Sequence, residues 1–292
     1  MKRVVFVLLI AFAYSCASTK PVSNRIVSFW GLSTLSTEET KMANELLSYG
    51  LEHEALYTLL DTLKPISSLG YSLSFPLAKD SLMKDGDKSV VQMGIDSIDR
   101  VMNELEQWNN IASALSNEHL TFLLIPYKQP WNGSRNLQLL VVRNHVFSTL
   151  LKRKAEFFGQ WGFTCNSDPA TVLTTIEFES QNDRYRAYGY LFGYPEHAVD
   201  FFVEASISEE ETGEFVTRNF FSMPVAVGKS GYFTYAIPKE YTPNQLDSSI
   251  YYAASSTLEK YEIERANYSN LEGQLDAIRL ISDFWRKDSY NQ

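Results

Sequence analysis

The chain has 292 residues, 45% of them apolar, with 18 Phe and 17 Tyr, ample to bury a core. Its 26 Lys and Arg stand against 35 Asp and Glu, a formal charge of −9, which argues against nucleic acid and anionic lipid headgroups as partners. No long segment has the polar, aromatic-poor composition of disorder.

The chain opens with Lys2 and Arg3, followed by an apolar run over residues 4–13. That run is well short of the roughly 20 residues that span a bilayer, so it reads as a secretory signal. Ala13, Tyr14, Ser15 and Cys16 come next. Small residues at the third and first positions before a cysteine resemble the lipobox of bacterial lipoproteins, with Ala13 standing where Leu is usual and a bulky Tyr14 between. The resemblance covers the first 16 residues. It implies removal of residues 1–15, diacylation of the Cys16 thiol, and an anchor on a bacterial envelope membrane facing the periplasm or exterior. The alternative is an ordinary secretory signal in which Cys16 is incidental. Cleavage removes Lys2 and Arg3 and no acid, taking the formal charge from −9 to −11, so lipid rather than surface charge would hold the protein at the membrane. With Cys16 acylated only Cys165 remains, and no intramolecular disulfide can form. Residues 16–25 are small and polar, as suits a lipidated tether. Residues 26–292 are expected to form one globular domain.

Ser36 followed by Glu39 is a capping-box pattern that predicts a helix to about Leu47. Gly50 is expected to break it, and the leucines of residues 52–63 to restart it. Residues 64–89 contain Pro65, Gly70, Pro76 and Gly86 and read as loop, with one short strand over residues 71–75. Residues 90–115 repeat apolar side chains at three- and four-residue steps, a long amphipathic helix. A buried strand is predicted over residues 120–125, stopped by Pro126. An exposed loop over 127–136 follows, with Trp131 a weak candidate for stacking on a sugar. Residues 137–142 tilt to strand and 144–158 to helix. Asp168 before Pro169 is a cap with proline at the first helical position, opening a helix to about Glu179. Residues 220–225 and 232–237 read as an antiparallel hairpin. The C-terminal part, from Leu246 to Trp285, reads as long helices broken near residues 270–273. Helices dominate and no regular strand–helix alternation appears, so the expected class is α+β: helix-rich, with a small mixed or antiparallel sheet and a long C-terminal helical segment.

No metalloprotease, nucleophile-elbow or dinucleotide-binding signature is present. Gly228, Lys229 and Ser230 imitate the end of a phosphate loop, but Met223 occupies the place of its first glycine. His53, His119, His145 and His197 have no zinc-ligand spacing, and neither metal nor cofactor is expected. His53 reads as part of a solvated turn, and Cys165 as a buried thiol.

The densest local signal is the stretch 183–203. Gly193 suits a positive φ ending one helix and Pro195 the first position of the next. Arg184, Arg186, Tyr190, Tyr194, Glu196 and His197, with Asp200 one turn on, gather polar groups at the bend. They can line a pocket for a polar ligand, with His197 available as a general base, or the arginines can pair with acids and lock the bend. The stretch resembles Gly-Tyr-Pro segments of uncharacterised bacterial proteins, which implies no activity. The expected function is a binding or scaffolding module for a polar small molecule or an envelope protein. The alternative is a hydrolase-type enzyme centred on His197.

Overall fold

The structure is a computed structural model that describes residues 29–76, 95–130, 134–228 and 232–289. It is an α+β fold. In chain order the elements are α1 (Thr37–Glu52), α2 (Leu56–Leu59), β1 (Ile66–Pro76), α3 (Ile95–Leu115), β2 (Leu120–Pro126), β3 (Ser134–Arg143), α4 (Asn144–Arg153), α5 (Ala155–Phe158), α6 (Pro169–Phe178), α7 (Gln181–Leu191), α8 (Glu196–Thr212), β4 (Arg218–Ser222), β5 (Thr234–Pro238), α9 (Gln245–Arg265) and α10 (Ala277–Ser289). The signal, Cys16 and the tether, residues 77–94, Trp131 and the Lys229–Ser230 pair lie outside the described residues.

The three longer strands form an antiparallel sheet in the order β1-β3-β2. Both of its faces are buried. Leu139 and Val141 of β3 face a cluster built from α1, α2, α3, α9 and α10, while Leu140 and Val142 face a second built from α4 to α8. Side chains alternate sides along a strand, so one apolar run supplies both cores. A separate ribbon pairs β4 with β5 antiparallel.

The Ser36 capping box forms as expected: its Oγ accepts from the Glu39 N–H, and the Glu39 carboxylate accepts from the Ser36 N–H at 2.8 Å. Asp168 caps α6 through the Thr171 N–H. Some local expectations do not hold. Helix α1 runs through Gly50, where a Cβ would lie 2.8 Å from the Leu69 side chain; close packing of β1 on the helix outweighs the cost of a mid-helix glycine, about 1 kcal/mol. What restarts after it is the single turn α2. Strand β1 begins at Ile66 rather than Tyr71, because it absorbs Gly70 in a register irregularity between Ser68 and Ser72. Residues 134–136 belong to β3 and not to a loop. His53 is no solvated turn: it is buried, its Nδ1 lies 2.7 Å from the Tyr49 carbonyl, and its ring stacks on Tyr49 at 3.8 Å. Cys165 is half-exposed rather than buried. The start of the described chain is tied to its end, with the Trp30 indole N–H donating to the Ile278 carbonyl at 2.9 Å.

Candidate functional site

Helix α7 ends in a Schellman turn. The Tyr194 N–H donates to the Gly189 carbonyl and the Gly193 N–H to the Tyr190 carbonyl, each at 3.0 Å, with Gly193 at φ +79°. The left-handed residue satisfies carbonyls that the helix end would otherwise orphan. The turn is also seated: a Cβ on Gly193 would come 2.3 Å from the Leu63 carbonyl oxygen. Pro195 is the N-cap of α8 and not its first helical residue, and the helix begins at Glu196. The two helices cross closely, since a Cβ on Gly189 would touch Val199 at 2.7 Å.

Beneath the bend lies Lys64, fully buried and ion-paired with Glu54, its Nζ 4.7 Å from the Phe233 ring centre and 5.1 Å from that of Phe192. Burial pushes its ammonium below the ordinary lysine range, and Glu54 opposes that shift. Tyr194 packs against Phe192, Phe233 and Tyr235. It touches both core clusters, and burial raises its phenol.

The polar groups of the bend divide into three sets. Arg184 and Arg186 act as ties. The Arg184 guanidinium stands 3.6 Å from Glu177 of α6, a buried carboxylate that also accepts from the Lys128 N–H at 2.9 Å and the Tyr188 hydroxyl at 2.8 Å. Arg186 pairs with Asp200 of α8 and donates to the Tyr190 hydroxyl at 3.4 Å. His197 forms a second set with residues that sequence reasoning did not single out. Its Nε2 lies 3.1 Å from Asp247 Oδ1 and 3.2 Å from the Tyr241 hydroxyl. Asp247, fully buried at the start of α9, also accepts from Tyr235 at 2.5 Å, Tyr241 at 2.6 Å and the Asn244 N–H at 2.8 Å. Burial opposes the charge of Asp247, but these donors and nearby His197 more than offset it and hold the carboxyl below its ordinary range. The same carboxylate, after burial, helps push the Tyr241 phenol up to about 12. Asn244 and Asp247 form a capping box, the one sequence signal that could have pointed to Asp247.

Tyr190, Tyr194 and Glu196 make the third set and line a cleft of about 710 Å³. One wall is α4, with His145, Val146, Thr149, Leu150, Arg153 and Lys154; the other is the start of α9, with Leu246 and Ile250. Thr62, Leu63, Pro65, Gly193 and Pro195 complete the lining. Lys154 Nζ bonds Glu196 at 2.6 Å and sits 4.4 Å from the Tyr190 ring centre, tying α4 to the start of α8. So three of the six candidate residues meet at the cleft, while Arg184, Arg186 and His197 are engaged elsewhere.

An imidazole backed by a carboxylate can serve as a general base at its other nitrogen. Among the described residues, no hydroxyl or thiol other than Tyr241 hydrogen-bonds His197. No group of three or more His, Cys, Asp or Glu among them is placed to hold a metal ion, and no described helix is long and apolar enough to cross a membrane. Comparison with protein-family models, curated proteins and solved structures gave no match to this chain.

Proposed function

We propose that the protein is a ligand-binding module held at a bacterial envelope membrane through a lipid on Cys16, with the cleft beside the α7–α8 bend as its binding site. The observation that carries this reading is the division of polar groups. His197 with Asp247 and Arg186 with Asp200 pair outside the lining of the cleft, while a cleft of about 710 Å³ lies beside them. That volume falls within the ~300–1,000 Å³ range of small-molecule sites. Anchoring is supported by the short apolar leader and the lipobox-like residues ending in Cys16. A hydrolase using a side-chain nucleophile would need a serine or cysteine on the free nitrogen of His197, and the described residues offer none there.

The test is small-molecule mass spectrometry on the full chain purified from native membranes, beside Thr149→Trp, which puts an indole into the cleft from an exposed helical position. A compound retained by the wild type and lost from Thr149→Trp supports the reading. Identical sets of retained compounds would sink it. His197→Ala should leave that compound bound. For the anchor, Cys16→Ala should leave unprocessed precursor or release the protein from membranes; unchanged partitioning and no acyl mass on the mature N-terminus would contradict it.

A further inference from the structure

Resting on that reading of the cleft, we propose its ligand class: an anionic amphiphile, one apolar chain carrying a carboxylate or phosphate head. The cleft has a cationic side and an apolar side. Helix α4 contains no acid and places His145, Thr149 and Arg153 along the cleft at four-residue steps, which keeps them on one helical face. Lys154 is neutralised by Glu196. Arg153 makes no ion pair among the described residues, so the cleft carries net positive charge in a chain whose formal charge is −9. The start of α8 adds to this. Pro195 and Glu196 line the cleft, and the N-cap proline supplies no side-chain acceptor to the first N–H groups of a 17-residue helix. The Ala198 and Val199 N–H groups already donate to the Pro195 carbonyl; the two before them and the helix dipole favour an anion there, although the Glu196 carboxylate offsets part of it.

Opposite stand Leu246 and Ile250, one turn apart on α9, with Leu246 left 51% exposed. The exposed Leu246 and the half-buried Ile250, which also packs on the main core, share a cleft with a cationic helix, which fits a ligand that is apolar along its length and negative at one end. Neither a sugar nor a cationic peptide would satisfy both walls.

The experiment is equilibrium binding of labelled dodecanoate, dodecyl phosphate, dodecyltrimethylammonium and dodecyl maltoside to the full chain in nanodiscs, with binding to empty discs subtracted. Wild type should take up dodecanoate or dodecyl phosphate at one per chain, and the stronger of the two identifies a carboxylate or a phosphate head. Arg153→Glu, at an exposed position, should keep its circular dichroism and weaken that binding by about tenfold or more, while dodecyltrimethylammonium stays unbound. If the cationic or the sugar amphiphile binds as well as dodecanoate, or Arg153→Glu changes nothing, the ligand class is wrong. The cleft itself survives that result if Thr149→Trp abolishes the binding. If no amphiphile binds, or if binding is untouched by Thr149→Trp, the proposal is overturned.

Discussion

Asp247 is a fully buried carboxylate near the bend whose charge depends on its partners. A fully buried carboxylate held by two phenols, a backbone N–H and an imidazole loses all of them together when it is truncated. Asp247→Ala should therefore cost about 3–5 kcal/mol in urea unfolding at neutral pH. The sign of its pH dependence follows from its lowered folded pKa. The stabilisation is complete above the unfolded carboxyl value of ~3.9 and is lost as pH falls through the lowered folded value. The stability gap between wild type and Asp247→Ala should thus close on acidification below pH 4; a gap constant down to pH 2 would contradict the assignment. The two arginines should differ. Arg186→Ala breaks a pair open to solvent and should cost about 0.2–1 kcal/mol, whereas Arg184→Ala takes the cation from Glu177, only 5% exposed, for about 1–3 kcal/mol. Equal losses would mean that burial is not what separates the two ties. The Arg184 and Arg186 partners lie within 14 residues on neighbouring helices, which is why a locked bend was legible in the sequence. The partner of His197 stands 50 positions away on another element, and only tertiary packing brings it near.

The α7–α8 bend was readable because its chemistry is local: a glycine at the left-handed position, a proline beside it, and an apolar face on the following helix. Its seat was not readable. Gly193 is required as much by the Leu63 carbonyl as by its own φ, and that contact reaches across 130 positions. Gly193→Val should accordingly destabilise by more than ~1 kcal/mol, measured as a lowered thermal midpoint; an unchanged midpoint would show that the bend relaxes freely. Gly50 teaches the opposite lesson, since read locally it breaks a helix, yet in the fold it is the gap into which Leu69 packs. The first half of strand β1 is hidden from local reading for the same reason, because Gly70 is a loop signal in isolation and a bulge residue once β3 lies alongside.

At the scale of the whole molecule, the sheet separates two cores, and Tyr194 at the bend packs against both. The cleft lies where α4, the bend, the start of α9 and residues 62–65 converge, four segments that sequence reasoning had no means of bringing together. A second cleft, about 420 Å³ between α9 and α10 and lined by Leu60, Tyr261 and Phe284 among others, is the natural rival. The measurement that separates them is amide hydrogen exchange on the full chain freshly isolated from its native membranes, before and after its bound small molecules are stripped. The account predicts that stripping speeds exchange in residues 62–65, 145–154, 193–196 and 246–250 and leaves residues 257–287 unchanged. Faster exchange confined to 257–287, or no change anywhere, would contradict it.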